Sequence, residues 1–177
     1  DTVRRQRQMC IRDSRKTMKA LQCVELAGPE KLVFSEVDDP KPGSGQVLLE
    51  IKAASVNFPD VLMIQGLYQN QPPMPFIPGA ECSGVISEIG EGVDSCSVGD
   101  HVFVMAGTGC FAEKLVVDAA SVTHIPKAMD FPVAAALPMT YGTSLYSLKQ
   151  RANLQPGETL LVLGAAGGVG LSAVEIG

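Results

Sequence analysis

The sequence predicts an α+β body followed by the opening of an α/β unit. A small β-barrel or sandwich is expected over residues 18–130, then linking helices and a strand–turn–helix over residues 131–177. Three observations carry this. Short apolar runs broken by Gly and Pro recur from Lys19 to Ile125, which is strand-and-turn spacing. After Pro126 the residues become small and apolar with helical spacing. Finally, the continuous apolar run Thr159-Leu160-Leu161-Val162-Leu163 leads straight into Gly164-Ala165-Ala166-Gly167-Gly168-Val169-Gly170. A run of that kind marks a strand buried on both faces.

Lys19 to Leu26 and Lys31 to Val37 flank Gly28-Pro29 and read as a strand pair. Asp39-Pro40-Lys41-Pro42-Gly43 is a loop, and Val47 to Ala53 reads as a strand. Asn57 suits a helix N-cap, with Pro59 and Asp60 in a first turn that ends by Gly66. Residues 69–79 hold four prolines and form a stiff irregular loop. Gly84 to Ile89, His101 to Met105, Phe111 to Val117 and Val122 to Ile125 are further strands. Residues 130–151 read as two short helices interrupted at Pro138, because proline removes a helix hydrogen bond.

The 177 residues are 46% hydrophobic and 19% charged, which excludes a disordered chain. The net charge of −5 is uneven. Residues 1–17 sum to +4, and residues 18–177 to −9. Met9-Cys10-Ile11-Arg12-Asp13-Ser14 reads as the translation of a transposon-end sequencing adapter, so residues 1–17 are set aside as an artefact. The alternative is a disordered basic leader. An acidic body with few aromatics argues against nucleic acid as a partner. Five cysteines at 10, 23, 82, 96 and 110 show no CxxC spacing, which suits reduced thiols in a cytoplasmic protein. The uncharged stretches 131–148 and 159–174 are broken by proline and glycine, so no membrane span is expected.

The glycine turn carries the most specific chemistry. A dinucleotide pyrophosphate needs backbone N–H groups at a helix N-terminus with no side chain in the way. Gly167 would let the phosphate approach, and Gly170 would let the helix pack on the strand. The first glycine of the usual GxGxxG is Ala165 here, and a tight turn without ligand is the competing explanation.

These residues resemble the cofactor signature of the zinc-independent NADPH:quinone oxidoreductase family, within the medium-chain dehydrogenase/reductase superfamily. Val56-Asn57-Phe58-Pro59-Asp60, Pro75 to Glu81, Gly90-Glu91-Gly92-Val93, Val98 to Val102 and Leu137 to Thr143 fall in that family's order. The resemblance implies a GroES-like β-barrel domain followed by the start of a truncated Rossmann domain, an N-terminal fragment that would be inactive alone and poorly folded beyond about residue 130. Zinc alcohol dehydrogenases would place Cys at Asn57 and His at Ala80, so no zinc and no other metal is expected. The resemblance implies NADPH as cofactor. NADH stays open, because the ribose-recognising residue would lie beyond Gly177.

The implied reaction is hydride delivery to a quinone or an α,β-unsaturated carbonyl. The alternatives are an acryloyl-CoA-like enoyl-CoA reductase and a non-enzymatic nucleotide-binding relative. Asn57 and Tyr68 are the candidate catalytic residues, with N-cap and loop-packing roles as the competing explanations. Thr140, Ala166, Gly167, Gly168, Val169 and Gly170 are the candidate cofactor contacts; Thr140 could equally bond its own helix. Leu62 stands where the family often has Tyr, so no ring role is expected there. His101 and His124 are expected to be structural, and Glu81 to be a buried turn carboxylate. The full-length parent is expected to be a homodimer.

Overall fold

The computed structural model describes residues 16–177; the adapter-like segment lies outside the described residues except for Lys16 and Thr17. The chain runs β1 (Thr17–Gln22), β2 (Val33–Asp38), β3 (Gln46–Ser55), α1 (Phe58–Ile64), β4 (Glu81–Ile89), β5 (His101–Met105), β6 (Lys114–Asp118) and β7 (Val122–His124). Helix α2 (Phe131–Leu145), a π-helical stretch (Tyr146–Arg151) and α3 (Gly168–Ile176) follow. Each strand expected from the sequence up to Ile125 is present, with ends shifted by a few residues.

Five strands form one antiparallel sheet in the order β6-β3-β4-β5-β7. β1 and β2 pair separately, from Thr17 opposite Asp38 to Gln22 opposite Val33. The Leu21 N–H donates to the Phe111 carbonyl at 2.8 Å, which ties this ribbon to the segment leading into β6. Strand alternation sends one face inward. Val47 and Leu49 of β3, Cys82 and Ile86 of β4, and Val102 and Val104 of β5 make the core with Cys96 and Cys110. A smaller cluster of Cys23, Met63, Ile64 and Phe76 lies under α1, with Tyr68 packed against it. The four described cysteines are free and buried.

Two sequence expectations are corrected. Residues 131–145 form one helix, not two, although Pro138 lies inside it. Proline in a helix interior costs about 3 kcal/mol, because it brings no N–H of its own and its ring crowds the preceding turn that the next N–H would bond. Here that N–H, of Met139, donates to Glu81 Oε2 at 2.7 Å. A hydrogen bond to a charged group returns about 1.5–3 kcal/mol, comparable to the proline penalty, so the helix continues. The second correction concerns residues 159–163, which form no strand. A doubly buried strand needs a ladder on each side. Among the described residues no strand pairs with this segment, and Leu161 and Leu163 are 80% and 85% exposed.

Beyond residue 130 the chain consists of two helices and their connections. Helix α2 packs on β3, β4 and β5, and α3 packs on α2. The α2–α3 seam is made of small polar side chains. Ser144 Oγ donates to the Val169 carbonyl at 2.7 Å and lies 2.8 Å from Ser172 Oγ. Ser172 Oγ also lies 3.1 Å from the Thr140 carbonyl. No described helix is long and apolar enough to cross a membrane.

Candidate active site

The end of β3, the head of α1 and the start of β4 meet at Met139 of α2, the residue after Pro138. Glu81 opens β4 and is fully buried. Its Oε1 accepts Asn57 Nδ2 at 2.8 Å and the Ser55 hydroxyl, and its Oε2 accepts the Met139 N–H. Asn57 Nδ2 also donates to Ser55 Oγ at 3.1 Å. Asn57 is the N-cap of α1, as expected, and its backbone N–H donates to Asp60 Oδ2 at 2.8 Å. Asp60 is buried, and burial pushes its carboxyl above the usual 3.8; the Asn57 and Ala80 N–H groups pull the other way. Its Oδ1 closes no hydrogen bond.

Both Asn57 amide hydrogens are thus committed to Ser55 and Glu81, so the donor role expected of Asn57 requires one of them to be released. Sequence reasoning undervalued Glu81: it is the acceptor that gathers three donors. The signal was a carboxylate in Pro78-Gly79-Ala80-Glu81, at the head of a strand whose next residues are small and apolar.

Next to this network lies a cavity of about 300 Å³. Pro59, Met63, Tyr68, Ala80, Met105 and Met139 line it, and no charged side chain does. Tyr68 is therefore both a packing residue and a cavity wall; its hydroxyl makes no hydrogen bond among the described residues, while its carbonyl accepts Gln71 Nε2. Asn57 is not a lining residue; it reaches the cavity wall through Glu81 and Met139. The three methionines were not foreseen as wall residues.

The glycine turn lies on the other side of Met139. Gly164 has φ +72°, and a Cβ on Gly170 would come within 2.3 Å of the Gly164 carbonyl oxygen. Gly170 is therefore required by the close approach of α3 to the turn itself, at Gly164 and Ala165; the strand on which it was expected to let the helix pack is not formed. Gly167, the N-cap of α3, has φ −80° and its nearest neighbour to a Cβ is 3.7 Å away. Nothing within the protein demands glycine there. The N–H groups of Gly168, Val169 and Gly170 make no hydrogen bond among the described residues, and Ala166 to Val169 are exposed. Thr140 back-bonds its hydroxyl to the Ala136 carbonyl, and its Cγ2 is where a Cβ on Gly168 would collide, at 2.9 Å. It is thus a contact of the turn and a helix hydroxyl at once.

The two histidines are peripheral to this site. His101 stacks at 4.8 Å on Phe131, and His124 pairs with Asp100 at 3.0 Å. Among the described residues no three His, Cys, Asp or Glu side chains converge as metal ligands.

A mainly antiparallel domain capped by a helix, with an apolar cavity beside a glycine turn, defines a class of protein. Residues 43–127 match the alcohol dehydrogenase GroES-like domain. The quinone oxidoreductase-like protein 2 homolog of Nematostella vectensis is 40% identical over 163 residues, covering 92% of this chain and 44% of that protein. The crystal structure of human synaptic vesicle membrane protein VAT-1 homolog-like protein superposes with a TM-score of 0.88 at 34% identity, over 91% of this chain and 52% of that one. The quinone oxidoreductase of Thermus thermophilus, solved also in complex with NADPH, gives 0.78 at 33% identity, over 90% and 49%. The CurK enoyl reductase gives 0.80 at 32% identity, over 90% and 50%. The chain belongs to the medium-chain dehydrogenase/reductase superfamily, in the group of the quinone oxidoreductase-like and VAT-1 proteins. It spans about half the length of these relatives.

Proposed function

We propose that the protein delivers a hydride from NADPH to a quinone or an α,β-unsaturated carbonyl without zinc, with NADH as the alternative donor. The observation that carries this is a shared wall on α2. Met139 closes the apolar cavity, and the next residue, Thr140, touches the glycine turn at Gly168. Two neighbouring residues of one helix thus belong to the two places, which supports a single dinucleotide serving both.

When bound, NADPH supplies the hydride. The chain's own residues hold and orient. The unpaired N–H groups of Gly168 to Gly170 face a pyrophosphate, and the bare Cα of Gly167 lets it come close. In this reading residues 164–177 supply the phosphate-binding turn and helix of a Rossmann domain, although residues 159–163 form no strand in this chain. The likeness to the NADPH-binding Thermus thermophilus enzyme supports it. The cavity has no charged wall, which suits a flat uncharged acceptor. The free Tyr68 hydroxyl donates to the developing enolate oxygen; Asn57, held behind the cavity wall by Ser55 and Glu81, joins it only by releasing a bond and turning into the cavity. Asn57 and Ala80 offer an amide and a methyl where a catalytic zinc needs thiolate or imidazole, so the donor set does not fit zinc. A homodimer in the cytoplasm belongs to the same proposal.

The likeness to the CurK enoyl reductase favours a second reading, reduction of an enoyl thioester. One NMR titration separates them. NADPH is expected to shift the Gly167 to Gly170 amides, and duroquinone the Met139 methyl and Tyr68 ring signals. Crotonyl-CoA acting on those signals where duroquinone does not would reverse the order. No response of the glycine amides to NADPH would remove both readings.

A further inference from the structure

We propose that Glu81 is the positioning residue of the cavity, fixing the Asn57 amide and the Met139 wall through one carboxylate. The functional importance of this clamp rests on the reading above; its existence does not. The carboxylate is fully buried, and no cationic side chain ion-pairs with it among the described residues. All its compensation comes from neutral donors of three separate segments: Ser55 of β3, Asn57 at the head of α1 and Met139 of α2. A buried carboxylate is expensive unless every such donor stays in place. The carboxylate thus resists movement of any one of them.

Its reach matters because Met139 is where three features coincide. Pro138 crowds the turn that the Met139 N–H would bond, the Glu81 bond captures that N–H, and the Met139 side chain walls the cavity. Without Glu81 the Met139 N–H loses its acceptor on β4, and the Met139 wall and, one residue on, the Thr140 contact with Gly168 lose the tie that holds this turn of α2, although the rest of the helix stays packed on the sheet. Asn57 loses an acceptor in the same event. The site is therefore set by an isosteric distinction, carboxylate against carboxamide, because an amide offers one acceptor and one donor where three donors converge.

The test uses the 177-residue chain and two reporters, exchange of the Met139 amide and the Asn57 side-chain NH₂ signals. In the wild type, Met139 is expected to exchange slowly and the Asn57 NH₂ pair to be shifted and resolved. Glu81→Gln is expected to speed Met139 exchange about tenfold or more and to collapse the Asn57 pair toward free-amide positions. Glu81→Gln combined with Asn57→Asp places an acceptor opposite the new amide and is expected to restore slow Met139 exchange, a rescue that loss of bulk packing would not give. A wild-type Met139 amide exchanging like an exposed one overturns the proposal without any variant, even if Glu81→Gln fails to fold. Unchanged reporters in a folded Glu81→Gln overturn it too. Duroquinone binding is read in parallel. Slow Met139 exchange with no duroquinone binding to the wild type would refute the functional reading and leave the clamp standing.

Discussion

Two glycines three residues apart make opposite predictions, although both belong to one turn. A Cβ on Gly170 would lie 2.3 Å from the Gly164 carbonyl oxygen and 2.9 Å from the Ala165 Cα, against backbone that has no rotamer to yield. Overpacking of this kind costs about 1–3 kcal/mol, and the better helix propensity of alanine returns at most about 1 kcal/mol. Gly170→Ala should therefore loosen the docking of α3 by about 1–2 kcal/mol, which is about 5–30-fold in the open population. At Gly167 the nearest atom to a Cβ is 3.7 Å away and φ is −80°, so Gly167→Ala meets no clash and should cost α3 only the N-cap preference of glycine over alanine, about 0.5 kcal/mol, less than Gly170→Ala. The same methyl projects where a pyrophosphate would approach, and should weaken NADPH binding about tenfold. The assay is amide exchange across Gly168–Ile176, with an NADPH titration on each variant. α3 exchange in Gly167→Ala as fast as in Gly170→Ala, or unchanged NADPH binding by Gly167→Ala, would contradict this.

Leu49→Ala removes a fully buried core side chain from β3 and should cost about 2–5 kcal/mol, read as a lower urea midpoint with an unchanged slope. Asp60 gives a pH signature. Its folded carboxyl is raised above 3.8, mainly by burial, so its contribution to stability is full below 3.8 and declines as pH rises through the raised value. The wild type should therefore lose stability over that window relative to Asp60→Asn, and the difference should be flat at higher pH; a constant difference throughout would contradict this. Cys23, Cys82, Cys96 and Cys110 are buried, and the Cys110 thiol is pushed far above its usual range by its contact with Cys82 and by burial. A disulfide reagent should react with none of the four in the native chain and with all of them in urea.

The barrel-like half of the fold was legible because its signals are local. The short apolar run from Val47 to Ala53 and the turns at Gly43 and Gly90 specify strands with little help from elsewhere. The helical half was not, because its decisive interactions are distant in sequence. Pro138 says break, and only Glu81, 58 residues upstream of Met139, lets the helix continue. Thr159 to Leu163 has strand composition, but a ladder is a property of neighbours, and among the described residues none pairs with it. In the site, Asn57 and the glycine turn stood out as motifs. The partners that decide how Asn57 is used, Ser55 and Glu81, are ordinary residues until three segments bring them together.

The central claim is that the cavity by Tyr68 and Met139 and the turn at Gly167 to Gly170 hold an acceptor and a dinucleotide face to face. Transferred NMR measurements with NADP⁺, which has no hydride to give, and duroquinone in the presence of the chain test this directly. An interligand nuclear Overhauser effect is expected between the nicotinamide ring protons and the quinone methyls, weaker in Gly167→Ala at the same ligand concentrations. Both ligands binding with no such contact would contradict it.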